Sequence, residues 1–261
     1  MIRAKKSLGQ HFLNDMNIAK KIVDLLSVKE NSNVLEVGPG TGVLTQFLLE
    51  NKEINFKQIE IDKVSVDFLL KKYPELQNDL IEASFLKTDI QSIFKAPFSL
   101  IGNFPYNISS QILFKVLENR DHVPEVVCML QKEVAERIAS PHGSKRYGIL
   151  SVLMQTFYNV EYCFTVNENV FIPPPRVKSA VIKFTRISNK KLNCDEKFLF
   201  RIVKQGFNQR RKTLRNSLKS ILVNLPTHQE VFNKRPEQLS ISEFESLVIL
   251  IEEMISNETG K

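Results

Sequence analysis

Short apolar runs recur along this chain at 34–37, 56–61, 84–87, 98–102 and 123–130. Runs of that length bounded by polar turns read as buried strands. Between and around them, apolar residues return every three or four positions, the spacing of an amphipathic helix. Ile18, Ile22, Val23, Leu25 and Leu26 place one helix over 15–26, with Asp15 as its cap; Val43, Leu44, Phe47 and Leu48 mark a second. A further helix is predicted to run to about Glu118, with Ser or Asn of Asn107-Ile108-Ser109-Ser110 as its cap, and two more over 132–139 and 147–157. The runs 158–166 and 178–186 alternate as two more strands, which makes seven. Beyond about Ile187 the strand pattern stops and the rest reads as helical, broken at Pro226 and Pro236. Strands interleaved with helices, followed by a purely helical tail, predict an α/β fold with an appended helical domain, divided as 1–186 and 187–261.

Two turns in this pattern carry candidate chemistry. The strand at 98–102 ends in Asn103-Phe104-Pro105-Tyr106, and open α/β sheets bind ligands at the carboxyl ends of their strands. An amide oxygen and a backbone carbonyl there are suited to accept the two hydrogens of an adenine amine. Pro105 fixes the turn, and Tyr106 offers a face for a flipped base. Taken alone, the four residues are better explained by an ordinary strand-to-helix turn with a core aromatic. The second turn, Glu36-Val37-Gly38-Pro39-Gly40-Thr41-Gly42, follows the strand at 34–37 and lets the backbone approach a ligand closely. Its spacing departs from the dinucleotide pattern, because Val43 stands where the third glycine belongs. Glu60, about twenty positions on, is placed for ribose hydroxyls, and Asp89 for an adenine amine. Three acids at successive strand ends together favour an adenosine-containing cofactor. Ser7 to Asn14 reads as an N-terminal lid or tail, and Phe171-Ile172-Pro173-Pro174-Pro175 as a stiff bracket or the wall of a base pocket.

Composition narrows the classes. The three cysteines and four histidines among 261 residues are scattered, with no metal-ligand or redox spacing. No apolar run is long enough to span a membrane, and the N-terminus lacks a signal-peptide core, so a cytoplasmic protein is expected. The net charge of +7 is concentrated. Lys197, Arg201, Lys204, Arg210, Arg211, Lys212, Arg215 and Lys219 precede Gln229 with no acidic residue among them, and Arg3, Lys5 and Lys6 stand near the start. Such a field fits a nucleic acid better than a merely solvated helix face.

From about Lys5 to Leu218 the chain resembles the rRNA adenine N6-dimethyltransferase family. The resemblance rests on Leu8-Gly9-Gln10-His11-Phe12-Leu13-Asn14, on the glycine turn, on Asn103 to Ser109, and on Met129-Leu130-Gln131-Lys132-Glu133-Val134. It continues through 171–181 and the stretch Phe207-Asn208-Gln209-Arg210-Arg211-Lys212-Thr213-Leu214-Arg215-Asn216-Ser217-Leu218. The last stretch is similar to the branch that modifies small-subunit rRNA, whose loss gives kasugamycin resistance. That resemblance implies a Rossmann-like class I methyltransferase sheet of seven strands, the last antiparallel, with a small all-helical C-terminal domain that binds rRNA. It implies S-adenosylmethionine as methyl donor and no metal. His11, Leu13, Gly38, Gly40, Glu60, Asp89 and Asn103 would hold the cofactor. Asn103, Pro105 and Tyr106 would serve the target amine and base. Phe171 would form the other face of the base sandwich, with Arg210, Arg211, Lys212 and Arg215 on rRNA phosphates. The implied substrate is two adjacent adenosines in the 3′-terminal hairpin loop of 16S rRNA within an assembling 30S subunit. A monomer with no obligate protein partner and no membrane association is expected. The alternatives are a large-subunit rRNA methyltransferase conferring macrolide resistance, a non-catalytic RNA-binding assembly factor, and a DNA adenine methyltransferase.

Overall fold

The computed structural model describes residues 4–259. Arg3 of the basic N-terminus lies outside the described residues, as does the side chain of Lys6. The chain forms two compact units, residues 1–135 with 158–186, and residues 136–157 with 187–261. One junction falls at 186/187, where the strand pattern stops. The second unit also takes 136–157 from the middle of the chain, which the sequence reading assigned to the first.

Among its described residues the first unit contains nine strands and the helices between them. In chain order these are β1 (Phe12–Leu13), α1 (Met16–Val23), β2 (Asn33–Val37), α2 (Thr45–Glu50), β3 (Asn55–Glu60), α3 (Lys63–Lys72), β4 (Leu80–Glu82), β5 (Phe98–Asn103), α4 (Ser109–Glu118) and β6 (Glu125–Gln131). After α5 (Lys132–Ala139) and α6 (Ile149–Phe157) come β7 (Tyr158–Val166), β8 (Phe171–Ile172) and β9 (Ser179–Arg186). Seven strands make one sheet in the order β4-β3-β2-β5-β6-β9-β7. The ladders from β4 to β6 are parallel, whereas β9, the last strand, runs antiparallel to both neighbours. β1 and β8 form a separate antiparallel pair, Phe12 opposite Ile172 and Leu13 opposite Phe171.

Local chemistry explains several helix starts. Asp15 accepts from the Ile18 N–H at 3.0 Å and starts α1; Asp62 accepts from Val64 and starts α3. Each such cap stabilises a helix by about 1 kcal/mol. α4 departs from expectation, because its N-cap is Ile108 and no side chain caps it. The expected strand over 84–87 is also displaced. β4 occupies Leu80–Glu82, where it pairs with Gln58–Glu60, and 84–88 turns back on the Ser84 carbonyl, which accepts from the N–H groups of Lys87 and Thr88. Apolar residues flank both stretches. Parallel register with β3 selects the earlier one, and Phe85 goes into the core as part of the turn.

Among the described residues the second unit contains helices joined by loops and no strand. Beyond α6 it contains α7 (Glu196–Asn208), α8 (Leu214–Ser217) and α9 (Ile241–Thr259). Leu199, Ile202, Val203 and Gly206 form the buried face of α7. Among the described residues no helix is long and apolar enough to cross a membrane.

One buried polar group conditions the sheet. Glu36, at 1 % exposure in β2, accepts from Thr45 Oγ1 and Gln58 Nε2, each at 2.7 Å. Burial pushes its pKa up to about 7 against these hydrogen bonds, and the nearby Glu60 adds to the rise. The folded protein therefore retains a proton that the unfolded chain releases near 4.5. Stability falls as pH rises through that window, by at most roughly 3 kcal/mol. Thermal midpoints at pH 5 and pH 8 are expected to differ more for the natural protein than for Glu36→Gln, which cannot ionise. Equal differences would show that Glu36 does not carry this dependence.

Candidate functional site

The carboxyl ends of β2, β3, β4 and β5 open into one cleft of about 310 Å³, at the lower end of the range of about 300–1,000 Å³ usual for small-molecule sites. Gly38 and Gly40 follow β2 and line it. Gly40 has φ +56°, and a Cβ there would fall 2.8 Å from the Phe12 ring. Conformation and close packing both demand glycine at that position. Glu60 ends β3 with its carboxylate braced on both oxygens: Oε2 accepts from Gly40 N at 3.2 Å and Oε1 from Asp62 N at 2.9 Å. Burial raises the Glu60 pKa, and those N–H groups oppose the rise.

Asn103 closes β5, and Phe104, Pro105 and Tyr106 continue the wall. Phe104 is 1 % exposed and anchors the turn in the core. The Tyr106 hydroxyl and Ser179 Oγ share a hydrogen bond of 2.5 Å. Burial lifts the Tyr106 pKa, opposed by that bond, so the phenol is neutral and its hydroxyl end is held by Ser179.

The N-terminal segment lies across this cleft, and Ser7 to Phe12 contribute to its lining. It is tied down at both ends. Lys5 Nζ meets Asp62 at 2.6 Å, and Gln10 Nε2 donates to the other Asp62 oxygen at 3.1 Å. Burial alone would raise the Asp62 pKa, but Lys5, Gln10 and the Val64 N–H outweigh it and hold the carboxyl below its ordinary value. His11 stacks on Tyr106 with centroids 5.4 Å apart, its Nδ1 is 2.9 Å from the Pro173 carbonyl, and its own carbonyl accepts from Asn103 Nδ2 at 2.9 Å.

Of the residues expected here, His11, Gly38, Gly40, Glu60, Asn103, Pro105 and Tyr106 share the cleft. Leu13, Asp89 and Phe171 do not line it. Side chains on a strand alternate in direction. In β1 Phe12 faces the cleft, while Leu13, 3 % exposed, joins Phe171, 2 % exposed, in the core. Asp89 caps a short turn of helix by accepting from Gln91 N at 3.1 Å and borders a separate depression with Lys115 and Glu118. The wall where an acid was expected is formed instead by Ala83, Ser84, Phe85 and Leu86. Sequence reasoning missed Ser84, Phe85 and Ile61. An apolar Ile61 between the acids Glu60 and Asp62 was the available signal; it is 57 % exposed and lines the cleft.

In the helical unit, Arg210 Nη2 donates to the Ser144 carbonyl at 3.2 Å and Arg215 Nη2 to the Thr227 carbonyl at 2.7 Å. Arg211 and Lys212 are exposed. Lys197, Arg201 and Lys204 are also exposed, spaced i, i+4, i+7 on α7 away from its buried face. Among the described residues no cluster of three His, Cys, Asp or Glu is placed to hold a metal.

The family model described as "Ribosomal RNA adenine dimethylase" matches residues 1–251, and the chain belongs to that family. It is 54 % identical over 252 residues to the "Ribosomal RNA small subunit methyltransferase A" of Cytophaga hutchinsonii, covering 96 % of this chain and 98 % of that protein. To the protein of the same name in Flavobacterium johnsoniae it is 56 % identical over 253 residues, covering 96 % and 97 %. Among solved structures, a dimethyladenosine transferase from Plasmodium falciparum superposes with a TM-score of 0.77 at 25 % identity, over 94 % of this chain and 98 % of the other. The 23S rRNA methyltransferase ErmE, at 23 % identity and a TM-score of 0.67 over 91 % and 99 %, shares the fold. The seven-strand sheet is thus that of the class I rRNA methyltransferases, with a helical C-terminal unit.

The 84–88 turn that walls the cleft has an identifiable brace. Lys115 Nζ donates to the carbonyls of Leu86 at 3.0 Å and Thr88 at 2.5 Å and lies 5.6 Å from the Phe85 ring centroid. Lys115→Met removes both bonds, at roughly 1 kcal/mol or more between them. It is expected to weaken binding of S-adenosylhomocysteine, the demethylated form of the donor that the resemblance implies, by about 5- to 10-fold. Calorimetry on the folded variant reads this directly; an unchanged Kd would confine Lys115 to stability.

Proposed function

We propose that this protein transfers methyl groups from S-adenosylmethionine to the N6 amines of two adjacent adenosines in the 3′-terminal hairpin loop of small-subunit rRNA. The observation that carries the reading is the shared cleft. The Asn103-Phe104-Pro105-Tyr106 turn borders the same space as Gly38, Gly40 and Glu60. The residues present fit an adenosyl ligand. The glycine turn offers bare backbone, and the braced Glu60 carboxylate keeps lone pairs for ribose hydroxyls. Ile61, Phe85 and Leu86 supply apolar surface for a planar base, with Ser84 beside them as the polar group.

S-adenosylmethionine, when bound, supplies a methyl carbon made electrophilic by its sulfonium. The protein's part is to prepare the amine. An adenine amine is a poor nucleophile because its lone pair is delocalised into the ring. Asn103 Oδ1 and the Pro105 carbonyl, accepting its two hydrogens, favour the pyramidal nitrogen that attacks. Tyr106 holds the base by its face. Catalysis is then positioning and local electrostatics, and the methylated ammonium is acidic enough to lose its proton to water without a dedicated base. A second round on the same nitrogen gives dimethyladenosine.

The helical unit is the proposed rRNA grip. Arg211 and Lys212 point outward and suit phosphates, as does the α7 stripe. Arg210 and Arg215, tied to backbone carbonyls, hold the loop between α7 and α8 that presents them. The protein acts, on this reading, as a cytoplasmic monomer on an assembling 30S subunit.

Methyl incorporation from labelled S-adenosylmethionine tests the reading, with small subunits lacking the two dimethyladenosines, large subunits and DNA as acceptors. Label is expected as N6-dimethyladenosine in small-subunit rRNA alone, and strongly reduced, though still measurable, in Asn103→Ala. Label in large subunits or DNA would overturn the substrate assignment, and tight subunit binding without label would favour an assembly factor. The grip has its own test. Exchanging Arg211 and Lys212 together for Ala is expected to weaken subunit binding and reduce its salt slope by about two phosphate contacts, leaving S-adenosylhomocysteine affinity unchanged. A slope equal to that of the natural protein would remove both from the interface.

A further inference from the structure

Asn103 has two chemically opposite ends, and the proposed reaction uses only one. The acceptor role needs Oδ1 toward the target amine. An amide is nearly symmetric in shape, so shape does not choose its orientation; hydrogen-bond partners do. In this structure the partner is the main-chain carbonyl of His11, 2.9 Å from Nδ2. A carbonyl only accepts, so the amide atom facing it must be the NH2 group, and Oδ1 is turned the other way.

That carbonyl is itself held from several sides. The His11 ring stacks on Tyr106 at 5.4 Å and 27°, and its Nδ1 donates to the Pro173 carbonyl at 2.9 Å. The next residues, Phe12 and Leu13, pair with Ile172 and Phe171, and Asn14 N donates to Val170 O at 2.8 Å. On the other side Gly9 has φ +63°, and a Cβ there would lie 2.7 Å from Asn107 Oδ1. The segment passes this point only as glycine in a left-handed conformation.

We propose that the N-terminal segment, besides covering the cleft, sets the orientation of the Asn103 amide through the His11 carbonyl, making His11 a positioning residue for methyl transfer. This rests on the function proposed above. In chemical terms, a docked segment presents Oδ1 to the amine hydrogens. An undocked one leaves the amide to rotate and to offer its own N–H groups, which repel them.

Two measurements on the full chain test the idea. The first needs no activity. In hydrogen exchange without ligand, Asn103→Asp places a carboxylate oxygen against the His11 carbonyl. The amides of Phe12, Leu13 and Asn14 are then expected to exchange about tenfold faster or more, with a smaller change in Asn103→Ala. Unchanged exchange in both variants would overturn the latch. The second is a double-mutant cycle in kcat at saturating S-adenosylmethionine. Gly9→Val, which displaces the segment, is expected to lower kcat about tenfold in the natural background and less than about twofold on Asn103→Ala, where no amide remains to orient. Equal factors in the two backgrounds would mean that the segment acts on turnover by a route other than the Asn103 amide, and would overturn the proposal. Absence of methyl transfer by the natural protein would defeat the proposed function, while the exchange measurement would still decide the latch.

Discussion

Parallel strands can be joined only by crossovers that return along a face of the sheet, and that constraint places the candidate groups that follow β2, β3, β4 and β5. β2 to β6 run the same way, so their carboxyl ends share one edge. Gly38, Glu60, Ser84 and Asn103 meet there although 65 positions separate the first from the last. The antiparallel β9 completes the set by the opposite logic. It enters where β6 ends, with Ser179 opposite Gln131, so its first residue reaches the same edge. Ser179 is thereby placed to hold the Tyr106 hydroxyl, an arrangement that a seventh parallel strand would not produce.

Much of this was legible in the sequence, because strand-length apolar runs and glycine turns are local signals. β2, β3, β5 and β6 were expected to within a few residues, and so were the cleft residues that follow β2, β3 and β5. The failures share a cause: each depended on which of two neighbours faces the core. Leu80–Glu82 and 84–87 are equally apolar, and only pairing with β3 chose between them. That choice carried the cleft wall to Ser84 and left Asp89 outside. Leu13 and Phe171 sit in a two-strand pair whose inward side was unknowable until their partners were known. Residues 136–157 gave correct local structure but no sign of which unit they join, since that is a matter of distant contacts.

Charge was legible as an amount but not as a function. The basic block reads as one feature in sequence, yet the structure divides it by what each cation touches. Arg210 and Arg215 each direct one guanidinium N–H to a backbone carbonyl, and the planar fork of arginine suits that bracing role. Arg211, Lys212 and the α7 stripe keep exposure. Arg215 is exposed as well, so its bond to Thr227 leaves other guanidinium donors open to solvent, and exposure is what a salt-dependent phosphate contact requires.

A buried charge explains what holds the N-terminal segment against the body of the fold. Asp62 has a side chain only 1 % exposed, and its carboxylate stays ionised. A buried carboxylate deprived of its partner is costly, by about 3–5 kcal/mol where such pairs have been broken. Val64 N and Ser65 Oγ supply hydrogen bonds to it, but the cation comes from Lys5, whose side chain remains 45 % exposed and thus gives up little hydration. The energetic demand therefore sits on the body of the fold at the start of α3, and the segment satisfies it from outside. Gln10 adds the second oxygen's partner, and one residue further His11 is delivered onto Tyr106 and Asn103. Docking is driven at Asp62 and felt at the amide, which separates the residues that hold the segment from those it acts upon.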